Sequence, residues 1–226
     1  MRNFNPGQYK DLFDEWDDPI IKAHRAGEFK VIESIKNKRN KTFIDLGAGH
    51  GRILPKIAPI VKDIIAIELN PAMFKILNQE SAKFKNSTAV FGDMTKLETI
   101  LKKFTIVNPV LLLLENTLGT IEGQYQQVLT QMRKIAKQNH GEAIISLYRQ
   151  QALKDWGLMS YWHGKAMNGE PDIVKTDLKK GLFVSKTGYT SKWWTDKEIA
   201  GMKNFFEGKL LNEVIAETYW IFHLGF

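Results

Sequence analysis

The chain contains no cysteine. Disulfides, thiolate metal sites and a cysteine nucleophile are therefore excluded. No apolar run approaches the ~20 residues that a membrane-spanning helix needs. The first residues, MRNFNPGQYK, lack the apolar stretch of a secretory leader, and a cytoplasmic protein is the default expectation. No His/Asp/Glu grouping has metal-ligand spacing, so no metal is expected. Internal repeats, low-complexity segments, Arg-rich runs and appended basic tails are also missing. The net charge of +7 rests on scattered lysines, with short clusters at residues 36–39 and 179–180. That scatter fits a solvated surface better than a nucleic-acid groove, so nucleic acid is not the expected partner.

What is present is a globular composition, 43% apolar over 226 residues, enough for one domain with a substantial core. From Thr42 onward, strand-like and helix-like segments alternate. Strands read at 42–46, 63–68, 88–91, 110–114 and 142–148, with helices at 52–61, 71–84, 95–104 and 122–138. The runs VLLLL and IISL are apolar throughout, as in strands covered on both faces by helices. An α/β doubly wound, mostly parallel sheet is the expected fold class. Asn70-Pro71 suits a helix start and Asn139-His140-Gly141 a helix end.

Three successive strand ends carry an acid. The first, FIDLGAGHGR, also carries Gly47, Gly49 and Gly51 in alternation after Asp45. The second ends in Glu68 and the third in Gly92-Asp93. Glycines let the backbone approach a ligand closely. An acid on the second strand can accept ribose hydroxyls, and one on the third can accept a base amino group. A nucleoside-bearing cofactor is implied. The dinucleotide pattern G-x-G-x-x-G is not met, because Arg52 stands where its third glycine belongs; this disfavours a nicotinamide-dependent oxidoreductase.

The G-x-G-x-G form after an acidic strand end, with Glu68 and Asp93 in register, resembles the class I S-adenosylmethionine-dependent methyltransferases over roughly residues 42–148. The resemblance implies a seven-stranded Rossmann-like sheet and S-adenosylmethionine as cofactor. It places Asp45 near the cofactor's amino group, Glu68 on the ribose and Asp93 on the adenine. Gly47, Ala48, Gly49, Gly51, Leu69, Met94 and Glu115 are further expected cofactor contacts.

The acceptor side is read from what surrounds this core. The fourth strand ends in Glu115-Asn116-Thr117-Leu118-Gly119, without the Pro-Pro-aromatic motif of enzymes that methylate base amines. The form N-x-L-G, together with an aromatic opening stretch from Tyr9 to Trp16, is similar to small-molecule N-methyltransferases of the glycine and sarcosine type. Residues 8–38 read as two helices broken at Asp17-Asp18-Pro19. Residues 149–194 hold many aromatics with interspersed glycines and include a strand pair turning at Thr187-Gly188. They read as a cover over the strand ends. A helix at 196–207, capped by Thr195 or Asp196, with Glu198 placed for a capping box if Thr195 is the cap, and two final strands complete the chain. The expected parts are thus an N-terminal cover at 1–40, a cofactor core at 41–148, the insert at 149–194 and a C-terminal unit at 195–226.

Candidate acceptor contacts are Tyr9, Trp16, Asn116, Tyr148, Arg149 and Trp162. Arg149, at the end of the fifth strand, is expected to hold an acceptor carboxylate, which suggests an amino acid or related amine. His163 is a candidate base, and no catalytic residue is assigned. The leading expectation is methyl transfer to a small molecule, at nitrogen. RNA or protein methylation is the alternative, and a non-catalytic cofactor-binding protein is a third.

Overall fold

The computed structural model describes residues 17–121 and 123–226. Among the described residues nine strands run in chain order: β1 Thr42–Leu46, β2 Asp63–Glu68, β3 Ser87–Phe91, β4 Val110–Leu113, β5 Glu142–Tyr148, β6 Leu182–Val184, β7 Thr190–Lys192, β8 Lys209–Ile215 and β9 Tyr219–Gly225. Seven of them form one sheet in the order β3-β2-β1-β4-β5-β9-β8. The first five pair in parallel, and β9 runs antiparallel to both β5 and β8. The order reverses direction between β1 and β4, so loops leaving those strands diverge and open a crevice at their C-terminal ends.

The α-helices of the described residues are α1 Pro19–Glu33, α2 Leu54–Ile57, α3 Pro71–Ser81, α4 Leu97–Leu101, α5 Tyr125–Gln138, α6 Leu158–His163, α7 Lys165–Asn168 and α8 Asp196–Phe206. Alternate residues of each strand face opposite layers. Ile44, Ile65, Leu111, Leu113 and Ile145 pack against α4, α5 and α8. Phe43, Ile64, Leu112 and Ile144 pack against α1, α2 and α3. All four residues of β4 are buried, as expected for a central strand covered on both faces, and each such side chain contributes roughly 1.5–3 kcal/mol.

Local chemistry sets the boundaries. Asp18 caps α1, accepting from the N–H groups of Ile20 and Ile21, while its second oxygen takes the Trp156 indole N–H at 2.9 Å. Asn70 caps α3 ahead of Pro71. Thr195 and Glu198 form the capping box of α8. His140, in the left-handed region at φ 49°, ends α5 ahead of Gly141. The helix read at 52–61 is shorter. Only Leu54–Ile57 is α-helical, and Ala58–Ile60 tighten into a 3₁₀ turn, because Pro59 has no N–H for the helical ladder.

Residues 149–194 pair as a strand hairpin only in part, through β6 and β7. Their first half is helical: a 3₁₀ turn, a wide π-type turn over Leu153–Gly157, then α6 and α7. A separate small core of Leu153, Trp156, Tyr161, Phe183 and Trp193 holds the segment together and takes in Ile21 of α1. Tyr9 and Trp16 lie outside the described residues.

Candidate functional site

A cavity of about 530 Å³ opens at the C-terminal ends of β1, β2 and β4, within the roughly 300–1,000 Å³ typical of small-molecule sites. Its floor is the loop after β1. Gly47, Gly49 and Gly51 all have positive φ. Gly47, at φ 72°, leaves no room for a side chain. A Cβ there would come within 2.5 Å of Thr117 Cγ2 and 3.1 Å of the Met94 terminal methyl. The Gly47 and Ala48 N–H groups bond to the Ile67 carbonyl, which ties the loop to the end of β2.

Glu68 is fixed by the same loop. One carboxylate oxygen accepts the Gly49 N–H at 2.8 Å and the other accepts the Asn70 N–H at 2.7 Å. Burial pushes its carboxyl up, against the pull of these backbone donors. Each oxygen keeps a lone pair for a ligand hydroxyl. Asp93 caps the turn after β3 through the Thr95 N–H at 2.8 Å. Asp45, buried at the end of β1, is pushed up to about 7, chiefly by burial; Arg52 opposes this, while Glu28, Glu68 and Glu115 add to it. Asp45, Ala48, Leu69, Met94 and Glu115 line the cavity beside Gly47, Gly49, Glu68 and Asp93. Gly51 shapes the turn from just outside, against Leu54 and Leu77.

The residues expected on the acceptor side divide. Tyr148 lines the cavity and packs against Trp193 and Trp156, ring centroids 4.7 and 5.6 Å apart. Asn116 touches the cavity too, but its amide is fully engaged. Its oxygen accepts from the Tyr148 N–H and the Trp194 indole, and its nitrogen donates to the Lys192 carbonyl and Ser191. Asn116 therefore stitches the insert to β4 rather than waiting for a ligand.

Arg149 corrects the sequence reading. Its guanidinium grips the Asp196 carboxylate through Nε at 2.9 Å and Nη2 at 2.6 Å, donates to the Ala216 carbonyl, and lies outside the cavity. Successive side chains of an extended segment point oppositely, so with Tyr148 turned inward Arg149 turns away. Trp162 is likewise outside and 45% exposed. Its neighbour Tyr161 is the inward residue of α6, and consecutive helical positions diverge by about 100°. His163 is exposed and does not reach the lining.

The insert instead presents Ser160, Tyr161, Tyr189, Ser191 and Trp193. Tyr161 stacks on Phe183 and accepts the Trp193 indole N–H at 3.0 Å. Burial pushes its hydroxyl up to about 12, so it stays neutral at any working pH. Among the described lining residues Arg52 is the one lysine or arginine. It is already paired with Glu28 at 2.7 Å and lies 3.6 Å from Glu115. The sequence reading took Arg52 only as a departure from the dinucleotide pattern, although its place directly after Gly51 put it at the loop. Glu28 was missed; it stands one helical turn beyond His24, and both are buried on α1.

The methyltransferase domain family covers residues 37–197. Among curated relatives, a probable ribosomal RNA small subunit methyltransferase A from Methanosarcina acetivorans is 28% identical over 69 residues, 30% of this chain and 26% of that protein. Its counterpart from Methanosarcina barkeri is 36% identical over 81 residues, 36% and 24%. The chain thus spans about a quarter of the length of the curated relatives it matches. Over nearly its whole length it shares the fold of a SAM-dependent methyltransferase from Aquifex aeolicus, with TM-score 0.60, 15% identity and 99% of both chains covered. It also shares the fold of the PH0226 protein of Pyrococcus horikoshii, with TM-score 0.67, 12% identity and 99% of both chains. A third is the N-methyltransferase NodS from Bradyrhizobium japonicum bound to S-adenosylhomocysteine, with TM-score 0.57, 12% identity, 92% of this chain and 88% of that one. With the glycine loop, the acid-bearing strand ends and the seven-stranded sheet in place, the chain belongs to the methyltransferase domain family.

Proposed function

We propose that the enzyme methylates a small, uncharged acceptor, at nitrogen, inside a chamber closed by the 149–194 insert. When bound, S-adenosylmethionine supplies an electrophilic methyl group on a sulfonium, with a neutral thioether as leaving group. In this reading Glu68 takes the ribose hydroxyls, Asp93 faces the adenine edge and Asp45 faces the amino group. The close approach at Gly47 admits the rest of the cofactor.

The observation that carries the acceptor assignment is the chemistry of the insert wall. Tyr161, Tyr189, Ser160, Ser191 and Trp193 offer hydroxyls and ring faces, but no charge. Among the described residues a carboxylate there would have no free cation to meet, and Arg149 is committed to Asp196. An amine nitrogen suits such a site because its neutral form is already nucleophilic and needs position and dryness rather than a strong base. A cavity of about 530 Å³ shared with a nucleoside cofactor leaves room for a compact acceptor only. That NodS is an N-methyltransferase of the same fold supports the choice of atom.

The Methanosarcina relatives name ribosomal RNA as the other acceptor, and the net charge of +7 suits it. The deciding experiment supplies methyl-labelled S-adenosylmethionine with pooled small amines in one reaction and total RNA in another. Label is expected in a small-molecule product. Label in RNA, persisting at salt that removes charge-driven binding, would overturn the reading.

A further inference from the structure

Glu28 lies on α1, outside every loop that carries a cofactor motif, and it has no exposed surface. A buried carboxylate is costly unless it is paired and hydrogen-bonded. Glu28 is both, and its partners are the two elements that shape the cavity. One oxygen accepts Arg52 Nη2 at 2.7 Å, directly after the glycine loop. The other accepts the Glu115 backbone N–H at 2.8 Å, directly after β4. Arg25, on the same helix, donates to the Glu115 carboxylate at 2.6 Å. His24 sits 3.6 Å from Glu28 and contacts Ser146 of β5. Burial holds His24 low, hence neutral, so the arginines supply the positive charge.

The backbone after β4 explains why such a clamp is needed. Glu115 and Asn116 both have positive φ, 47° and 56°. Two consecutive non-glycine residues in the left-handed region are strained, and such strain persists only where the surroundings over-determine it. Glu28 holds the Glu115 N–H and the Ser146 carbonyl holds the Asn116 N–H. Arg52 and Glu115 both line the cavity.

We propose that Glu28 is a positioning residue of the methyl-transfer site: from helix α1 it fixes the Arg52 guanidinium and the Glu115 backbone at the cavity wall, which makes α1 part of the cofactor-binding unit. The assignment rests on the enzyme's class and is independent of the acceptor. Asp45 gives it a second readout. Arg52, Glu28, Glu68 and Glu115 all act on Asp45, and Glu28 is one of the negative charges that raise it.

The test is Glu28→Gln, with S-adenosylhomocysteine as calorimetric ligand and the wild-type protein as reference. The amide can still accept the Glu115 N–H but no longer pairs with the Arg52 charge. Affinity is expected to fall about tenfold or more. The pH at which affinity is half-maximal is expected to move down by about half a unit, because a negative charge near Asp45 is gone. A purely structural residue would lower the melting temperature and leave both untouched. Affinity within about twofold of wild type, or an unmoved pH midpoint, would overturn the proposal. If Glu28→Gln loses cooperative unfolding, Glu28→Asp replaces it, read by affinity alone. Its charge is kept but its reach is one methylene short, so the same fall is expected and unchanged affinity again overturns the assignment.

Discussion

The indole N–H of Trp194 donates to the side-chain oxygen of Asn116 at 3.0 Å, joining the last residue of the insert to the loop that leaves β4. Three more bonds from the same amide reach Tyr148, Ser191 and Lys192. One side chain, 1% exposed, therefore ties the cover to the sheet. Gly119 allows that closeness, since a Cβ there would stand 2.3 Å from the Lys192 carbonyl oxygen.

Asn116→Ala is accordingly expected to destabilise the fold. It leaves the Trp194 indole and the Tyr148 N–H buried without an acceptor, and it puts a less tolerant residue at φ 56°. A loss of about 3 kcal/mol is expected in urea denaturation. A loss below about 0.5 kcal/mol would show that the stitch is energetically idle.

Asp45 should make the cofactor-free enzyme and its affinity respond oppositely to pH. Its carboxyl is raised from 3.8 to about 7 in the folded state. Between those values the folded protein binds more protons than the unfolded chain, so stability falls as pH rises through that window. The ionised carboxylate is the form that attracts an ammonium. Affinity for S-adenosylhomocysteine should therefore rise towards pH 7 and level off above it. Calorimetry from pH 5.5 to 8.5 tests this. A profile unchanged by Asp45→Asn would remove Asp45 from the site.

Glu68→Ala should weaken cofactor binding more than the lost ribose contacts alone suggest, because the carboxylate also pins the Gly49 and Asn70 peptides. Charge-assisted bonds of about 1.5–3 kcal/mol imply at least about a tenfold loss. Glu68→Gln, which keeps an acceptor and the shape, should fall between. Equal affinity for all three proteins by calorimetry would sink the ribose assignment.

The geometry of the glycine loop and of the acid-bearing strand ends was legible because it is set locally. The residues from Asp45 to Gly51 are contiguous, and strands of continuous apolar residues fix where Glu68 and Asp93 emerge. β1, β2 and β5 fall where the apolar runs place them. The insert was less legible. Its helical turns are held by packing among Leu153, Trp156 and Trp193, contacts between residues some forty positions apart, which no short-range period encodes. The direction of Arg149 depends on Asp196, 47 residues away. The alternation of an extended chain already allowed only one of Tyr148 and Arg149 to face inward. Glu28 depended on a docking between α1 and the glycine loop that spacing alone does not reveal.

Arg149 and Tyr161 separate the charged-acceptor reading from the neutral one. The Arg149 fork closes on Asp196 at the first turn of α8 and on the Ala216 carbonyl, and Asp196 is half-exposed. Arg149→Ala should therefore cost about 1 kcal/mol of stability and leave both the acceptor KM and the cofactor affinity near wild type. Tyr161 lies inside, with a neutral hydroxyl that takes the Trp193 indole N–H and faces the chamber shared with Tyr189 and Ser191. Tyr161→Phe keeps the ring stacked on Phe183 but removes that hydroxyl and leaves the indole unpaired. The acceptor KM should rise about tenfold while the affinity for S-adenosylhomocysteine stays within about twofold. Because the hydroxyl is pushed up to about 12, the KM ratio between wild type and Tyr161→Phe should be constant from pH 6 to 9. The measurement is steady-state kinetics with the acceptor identified by the labelling experiment. A raised KM in Arg149→Ala with none in Tyr161→Phe would return the acceptor's recognition to a carboxylate and place it on the other side of the insert.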